Sequence, residues 1–112
     1  MIRFEKNTMN AELVKGDTGN FSINPREKDT KKSLLENGHK VYFCIKKDVA
    51  EDPFFERIIS VFKDGVATIE IPAEETKNFE PGTYVYRLYI DRNGVIDTLT
   101  PTPVSYFVVK EG

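Results

Sequence analysis

One cysteine, one histidine and no tryptophan occur in 112 residues. Cys44 has no second thiol with which to close an internal disulfide, so the fold must rest on its hydrophobic core. A chain of this length buries enough apolar surface in one unit to fold without staples, and a single domain over residues 1–112 is expected. Cys44 stands between Phe43 and Ile45 in an apolar run with no base nearby, which reads as a small buried or half-buried hydrophobe rather than a reactive thiol. His39 has no serine or cysteine with an acid partner at an orienting spacing, which excludes a histidine-based triad. It reads as a strand-end residue in solvent.

Charge of one sign is also missing. Lysine and arginine number 16 against 18 acidic residues, a formal charge of −2. Binding to nucleic acid or to an anionic membrane rests on a basic stripe that displaces counterions, so neither partner is expected. No apolar run approaches the length of a membrane span, and Met1-Ile2-Arg3-Phe4-Glu5-Lys6 lacks the apolar segment of a secretory leader. The expectation is a protein not exported by that route.

What the chain does have is a succession of short alternating segments rich in Val, Ile, Phe, Tyr and Thr, each closed by turn residues. Strands are expected at Met9–Lys15 and Asn20–Asn24, joined by Gly16-Asp17-Thr18-Gly19, whose glycines suit a tight reversal. Residues 25–38 form a long polar loop under which Leu34 and Leu35 tuck, with Asn37-Gly38 turning the chain. In the strand His39–Lys47, Val41, Phe43 and Ile45 share the inward face, and Tyr42, Cys44 and Lys46 the outward one. Phe54–Phe62 is apolar on both faces and leaves its register open. Lys63-Asp64-Gly65 is a hairpin signal that pairs this strand with Val66–Ile71, where Ala67, Ile69 and Ile71 point inward. Residues 72–79 make about one helical turn crossing between sheets. Tyr84, Tyr86, Leu88 and Ile90 share one face of the next strand, and Asp91-Arg92-Asn93-Gly94 turns into Val95–Thr100. Pro101 and Pro103 then divide the last strand from Val104–Lys110. About seven strands at intervals near ten residues, with no long helix, predict an all-β fold of the β-sandwich kind.

Glu80-Pro81-Gly82-Thr83-Tyr84-Val85-Tyr86 resembles the acidic-x-Gly-x-Tyr-x-Cys segment that opens the sixth strand of immunoglobulin domains, with Tyr86 at the cysteine position. The resemblance implies an immunoglobulin-like Greek-key sandwich in which Tyr84 is the corner tyrosine, its hydroxyl bonded to backbone a few residues upstream. With neither the disulfide nor a tryptophan, antibody-type domains match poorly. "LVKGDTGNFSI", "LLENGHKVYFCIKK", "GVATIEIPAEET" and "PGTYVYRLYIDRNGVIDTLTPTPVSYFVV", in that order and spacing, are together similar to the immunoglobulin-like N-terminal domain of phage baseplate upper proteins. That family belongs to tailed phages and prophages of Gram-positive bacteria, and its members typically continue into a second region that engages the receptor-binding protein. The resemblance implies a structural module of the tail tip, located in the virion tail and in the bacterial cytoplasm during assembly. Its partners would be other phage baseplate or tail proteins, with a homo-oligomer as the further expectation.

Asp48, Glu51 and Asp52 lack the spacing and central glycine of a calcium loop and read as a solvated acidic loop. Glu74 and Glu75 are adjacent and cannot flank one glycosidic bond, but suit the start of a helical turn. Asn20-Phe21-Ser22 meets the glycosylation sequon only formally, and Lys28, Lys31 and Lys32 are interrupted by acids. No cofactor, metal or catalytic constellation emerges, so no enzyme is expected. Tyr84, Gly82, Tyr86, Phe43 and Ile69 are the expected structural residues. Tyr42, Phe54, Phe55 and Tyr89 are the candidate contact residues, either for protein partners or, in the alternative reading, for sugar rings stacked on a carbohydrate-binding sandwich.

Overall fold

A computed structural model describes residues 2–26, 29–33, 35–36, 38–48, 53–100 and 105–112. The strands are β1 (Arg3–Phe4), β2 (Ala11–Val14), β3 (Phe21–Ile23), β4 (Lys40–Lys46), β5 (Phe55–Ile59), β6 (Ala67–Ile69), β7 (Gly82–Arg92), β8 (Val95–Thr98) and β9 (Ser105–Lys110). One helical turn, α1 (Ala73–Thr76), lies between β6 and β7. The chain is therefore mostly β. A mixed seven-stranded sheet runs β1-β2-β9-β7-β4-β5, with β8 also on β7, and a two-stranded sheet pairs β3 with β6.

Period-two alternation puts the large side chains of both sheets into one core. Val41, Phe43 and Ile45 of β4, Ala67 and Ile69 of β6, and Tyr84, Tyr86, Leu88 and Ile90 of β7 are all buried, as the alternation predicts. Phe43 sits at the centre, with ring contacts to Phe21 of β3 (5.2 Å), Tyr86 (5.7 Å) and Phe107 of β9 (6.2 Å). Removing a side chain of this kind from water contributes roughly 1.5–3 kcal/mol.

β7 is the element around which the large sheet is registered. On one flank it pairs antiparallel with β4, Tyr42 opposite Tyr89 and Phe43 opposite Leu88. On the other flank its first half takes β9, Tyr84 opposite Phe107, and its second half takes β8, Tyr89 opposite Thr98. The last strand is thus divided as Pro101 and Pro103 suggest, although the prolines themselves lie outside the described residues. Asn93 and Gly94, at φ 56° and 96°, make the hairpin turn between β7 and β8.

Three connections differ from the sequence reading. The 16–19 segment turns at Gly16 (φ 90°) but carries the chain from the large sheet to the small one. Gly19 N–H donates to Ile71 O (2.9 Å) and Ile71 N–H to Asn20 Oδ1 (2.8 Å), which aligns β3 with β6. The Asp64-Gly65 turn forms with both residues at positive φ and Lys63 bridged to Val66. Beyond that bridge its flanking strands part, β5 to β4 and β6 to β3, so the expected pairing of the two strands is not made. A two-residue turn fixes the local reversal but not the ladder that follows it. Finally, β2 pairs parallel with β9, Leu13 opposite Val109, a partner that alternation alone does not name.

Side-chain to backbone bonds lock these crossings. The Tyr84 hydroxyl donates to Glu80 O and the Tyr86 hydroxyl to Met9 O, while Ser105 Oγ donates to Thr8 O (2.8 Å). The last two hold a kink where Met9, at φ 57°, separates β1 from β2. In α1, Thr76 Oγ1 donates to Asp17 O (2.6 Å), tying the helical turn to the 16–19 crossing. Arg57 of β5 donates to Glu70 O (3.3 Å) and pairs with Glu75, whose carboxylate belongs to the first turn of α1. His39, read from sequence as solvent-facing, is buried, and its Nδ1 accepts from Glu36 N–H (3.2 Å). Just before it in the chain, Leu35 is buried as expected, and Leu34 lies outside the described residues.

Tyr84→Phe and Tyr86→Phe each remove the hydroxyl donor from a backbone carbonyl, at about 0.5–1.5 kcal/mol apiece. Urea unfolding of the two variants should show lowered midpoints with unchanged slope, and thermal melts a fall of roughly 4–8 °C per kcal/mol. Unchanged midpoints in both would show that the hydroxyls hold nothing.

Candidate interaction surface

The outer face of the large sheet is built by the residues that alternate with the core positions. Lys40, Tyr42, Cys44 and Lys46 of β4 lie beside Asp91, Tyr89, Arg87 and Val85 of β7. β5 adds Ile58 next to Tyr42 and Glu56 next to Cys44, and β8 adds Thr98 next to Tyr89 and Ile96 next to Asp91. Across the sheet this gives one row Ile58, Tyr42, Tyr89, Thr98 and, below it, Glu56, Cys44, Arg87.

The middle of the face is rigid. Tyr42 and Tyr89 stack with ring centres 4.8 Å apart and planes within 2°. The Arg87 guanidinium covers Tyr89 at 4.4 Å from its centre, and Arg87 Nη2 donates to Thr98 Oγ1 (2.7 Å). Tyr89 is therefore held between a ring on one side and a cation on the other, each contact worth about 0.5–1.5 kcal/mol. Flanking this pair, Ile58 and Ile96 are 49% and 48% exposed.

Cys44 lies on this face yet is buried beneath its neighbours, and its thiol donates to Glu56 Oε2 (3.2 Å). Burial first, and then the Glu56 carboxylate, push the thiol from its usual 9.0 up to about 12. The side chain is an inert thiol at neutral pH, and the carboxylate beside it opposes ionisation rather than assisting it.

The four candidate contact residues do not form one patch. Tyr42 and Tyr89 meet on the outer face. Phe55 is core, packed on Phe43 (6.2 Å) and Phe79 (5.2 Å). Phe54 is half exposed at the edge of that core, against Tyr84 (5.0 Å) and Phe79 (5.8 Å). Of the structural residues, Tyr84, Tyr86, Phe43 and Ile69 are buried. Gly82 is exposed, and a Cβ there would meet Tyr84 only at ordinary contact distance, 3.9 Å. Sequence reasoning missed Ile58, Glu56 and Ile96, because their place on the face follows from the register of β5 and β8 on their neighbours, and it passed over Arg87, which the alternation of β7 already turns outward. Of the acidic loop, Glu51 and Asp52 lie outside the described residues. Among the described residues no cluster of three or more His, Cys, Asp or Glu could hold a metal, and no helix is long and apolar enough to cross a membrane. No family model matches the chain, and no curated protein matches it.

The raised Cys44 value has a consequence for stability. Unfolded, the thiol ionises near 9.0; folded, it keeps its proton to about 12. Between those values the folded state binds more protons, so stability falls as pH rises. Burial raises the Tyr86 phenol in the same sense. Cys44→Ala should flatten, without abolishing, the decline of the urea midpoint above pH 9.0. An equal decline in the variant would refute the assignment.

Proposed function

We propose that this chain is a non-enzymatic assembly module of a phage or prophage tail baseplate, built as an immunoglobulin-like Greek-key sandwich and acting through protein contacts. The fold part of this reading is supported by the Tyr84 hydroxyl on the Glu80 carbonyl four residues upstream, the bond that defines a tyrosine corner. It is also supported by the way the chain passes between the two sheets at 16–19 and again at α1.

The observation that carries the functional part is the outer face of the large sheet: two half-exposed isoleucines around an immobilised Tyr42–Tyr89 pair. Rigid aromatic and aliphatic side chains with little entropy left to lose are what protein contacts use as anchors. The resemblance over the four quoted segments supplies the setting, a tail particle. The carbohydrate-binding alternative draws less support. Sugar stacking needs an open ring face, and Arg87 and Tyr42 already occupy both faces of Tyr89.

Co-expression with each tail protein encoded beside it should yield a stable complex with at least one of them on size exclusion. Calorimetry against host cell-wall polysaccharide should give no heat of binding. Failure to form any such complex, or clear polysaccharide binding, would reverse the order of the two readings.

A further inference from the structure

The outer face of the large sheet is self-complementary in charge, and from this we infer that it takes a second copy of the same chain, as an isologous dimer. The inference rests on the assembly reading above and names the partner for its surface.

In β4 and β7 the outward residues sit in matched rows: Lys40 with Asp91, Tyr42 with Tyr89, Cys44 with Arg87. Two copies laid face to face about a twofold axis parallel to the strands, midway between β4 and β7, superpose each β4 position on the β7 position of the same row. Tyr42 of one copy then lies over Tyr89 of the other, and Lys40 over Asp91, twice by symmetry. Arg87 lies over Cys44, beside Glu56 in the next column. Ile58 lies over the Thr98–Ile96 strip, so the exposed isoleucines are the side chains most relieved of water. Lys46 comes over Val85, so in this arrangement no cation of the face lands on a cation. Sheets packed face to face lie about 10 Å apart with mean strand directions within about 30° of each other.

Growth through the sheet edge is the competing route, and β5 is built against it. Its central residue, Arg57, points inward from the edge strand and is engaged by Glu70 O and Glu75. An inward charge on an edge strand obstructs continuation of the ladder by another chain. Beside this face, therefore, the β5 edge is obstructed while the face itself is open.

Sedimentation velocity of the intact chain over a wide concentration range tests the inference. A dimer is expected, with Ile58→Glu and Lys40→Asp each weakening it about tenfold or more, since the second places an acid over Asp91. Thr68→Glu, on the outer face of the small sheet, should leave it unchanged. Far-UV circular dichroism and urea midpoints establish that each variant is folded; should Ile58→Glu fail to fold, Lys40→Asp alone decides. A chain monomeric at every concentration overturns the inference, as does a dimer that persists in the folded variants or is lost equally in Thr68→Glu. The assembly reading is separable: a monomer that still binds a tail protein defeats the pairing alone, whereas a dimer that binds none defeats the tail setting alone.

Discussion

The ladder along β7 is the constraint on which the rest of the molecule depends. Within it, residues 85–91 pair with β4 on one flank, and 82–86 and 89–92 pair with β9 and β8 on the other. A strand hydrogen-bonded along both edges cannot slip by one residue without turning four core side chains outward, so its alternation dictates which face of every neighbour is buried. Tyr84 and Tyr86 extend that control beyond the sheet. Their rings lie in the core, but their hydroxyls reach backbone at Glu80 and Met9, one on the approach to β7 and the other at the kink before β2.

The same alternation that fills the core assigns the remaining side chains to the outer face. Tyr89 is outward because Leu88 and Ile90 are inward, and it stacks on Tyr42 because the register sets them opposite. Fold and surface are thus two readings of one periodicity. Ile58 and Ile96 fall on that outer face for the same reason, each about half exposed.

The inward faces of β4, β6 and β7 were legible in the sequence because Val41/Phe43/Ile45, Ala67/Ile69 and Tyr84 to Ile90 alternate without interruption. Turns at Asp64-Gly65 and Asn93-Gly94 were legible for the same local reason, the positive φ that these residues tolerate. Partnership was not legible. Period two tells which way a side chain points, never which strand lies beside it, so the parting of β5 from β6 and the parallel pairing of β2 with β9 are tertiary facts. β5 was unreadable because it breaks the rule: Arg57 points inward to reach Glu75, while Ile58 points outward. His39 is buried against expectation because its Nδ1 takes up the Glu36 amide, a local contact that a polar residue at a strand end does not announce.

The division of strands into seven and two has a dynamic consequence. β3 and β6 share only three residue pairs, Phe21–Ile69, Ser22–Thr68 and Ile23–Ala67, whereas β4 and β7 share seven. Local opening begins where the fewest backbone bonds must break together, so amide protons of the small sheet exchange with solvent well before those at the centre of the large one. The molecule is a firm plate carrying a lighter cover, and breathing of the cover leaves the outer face of the plate undisturbed.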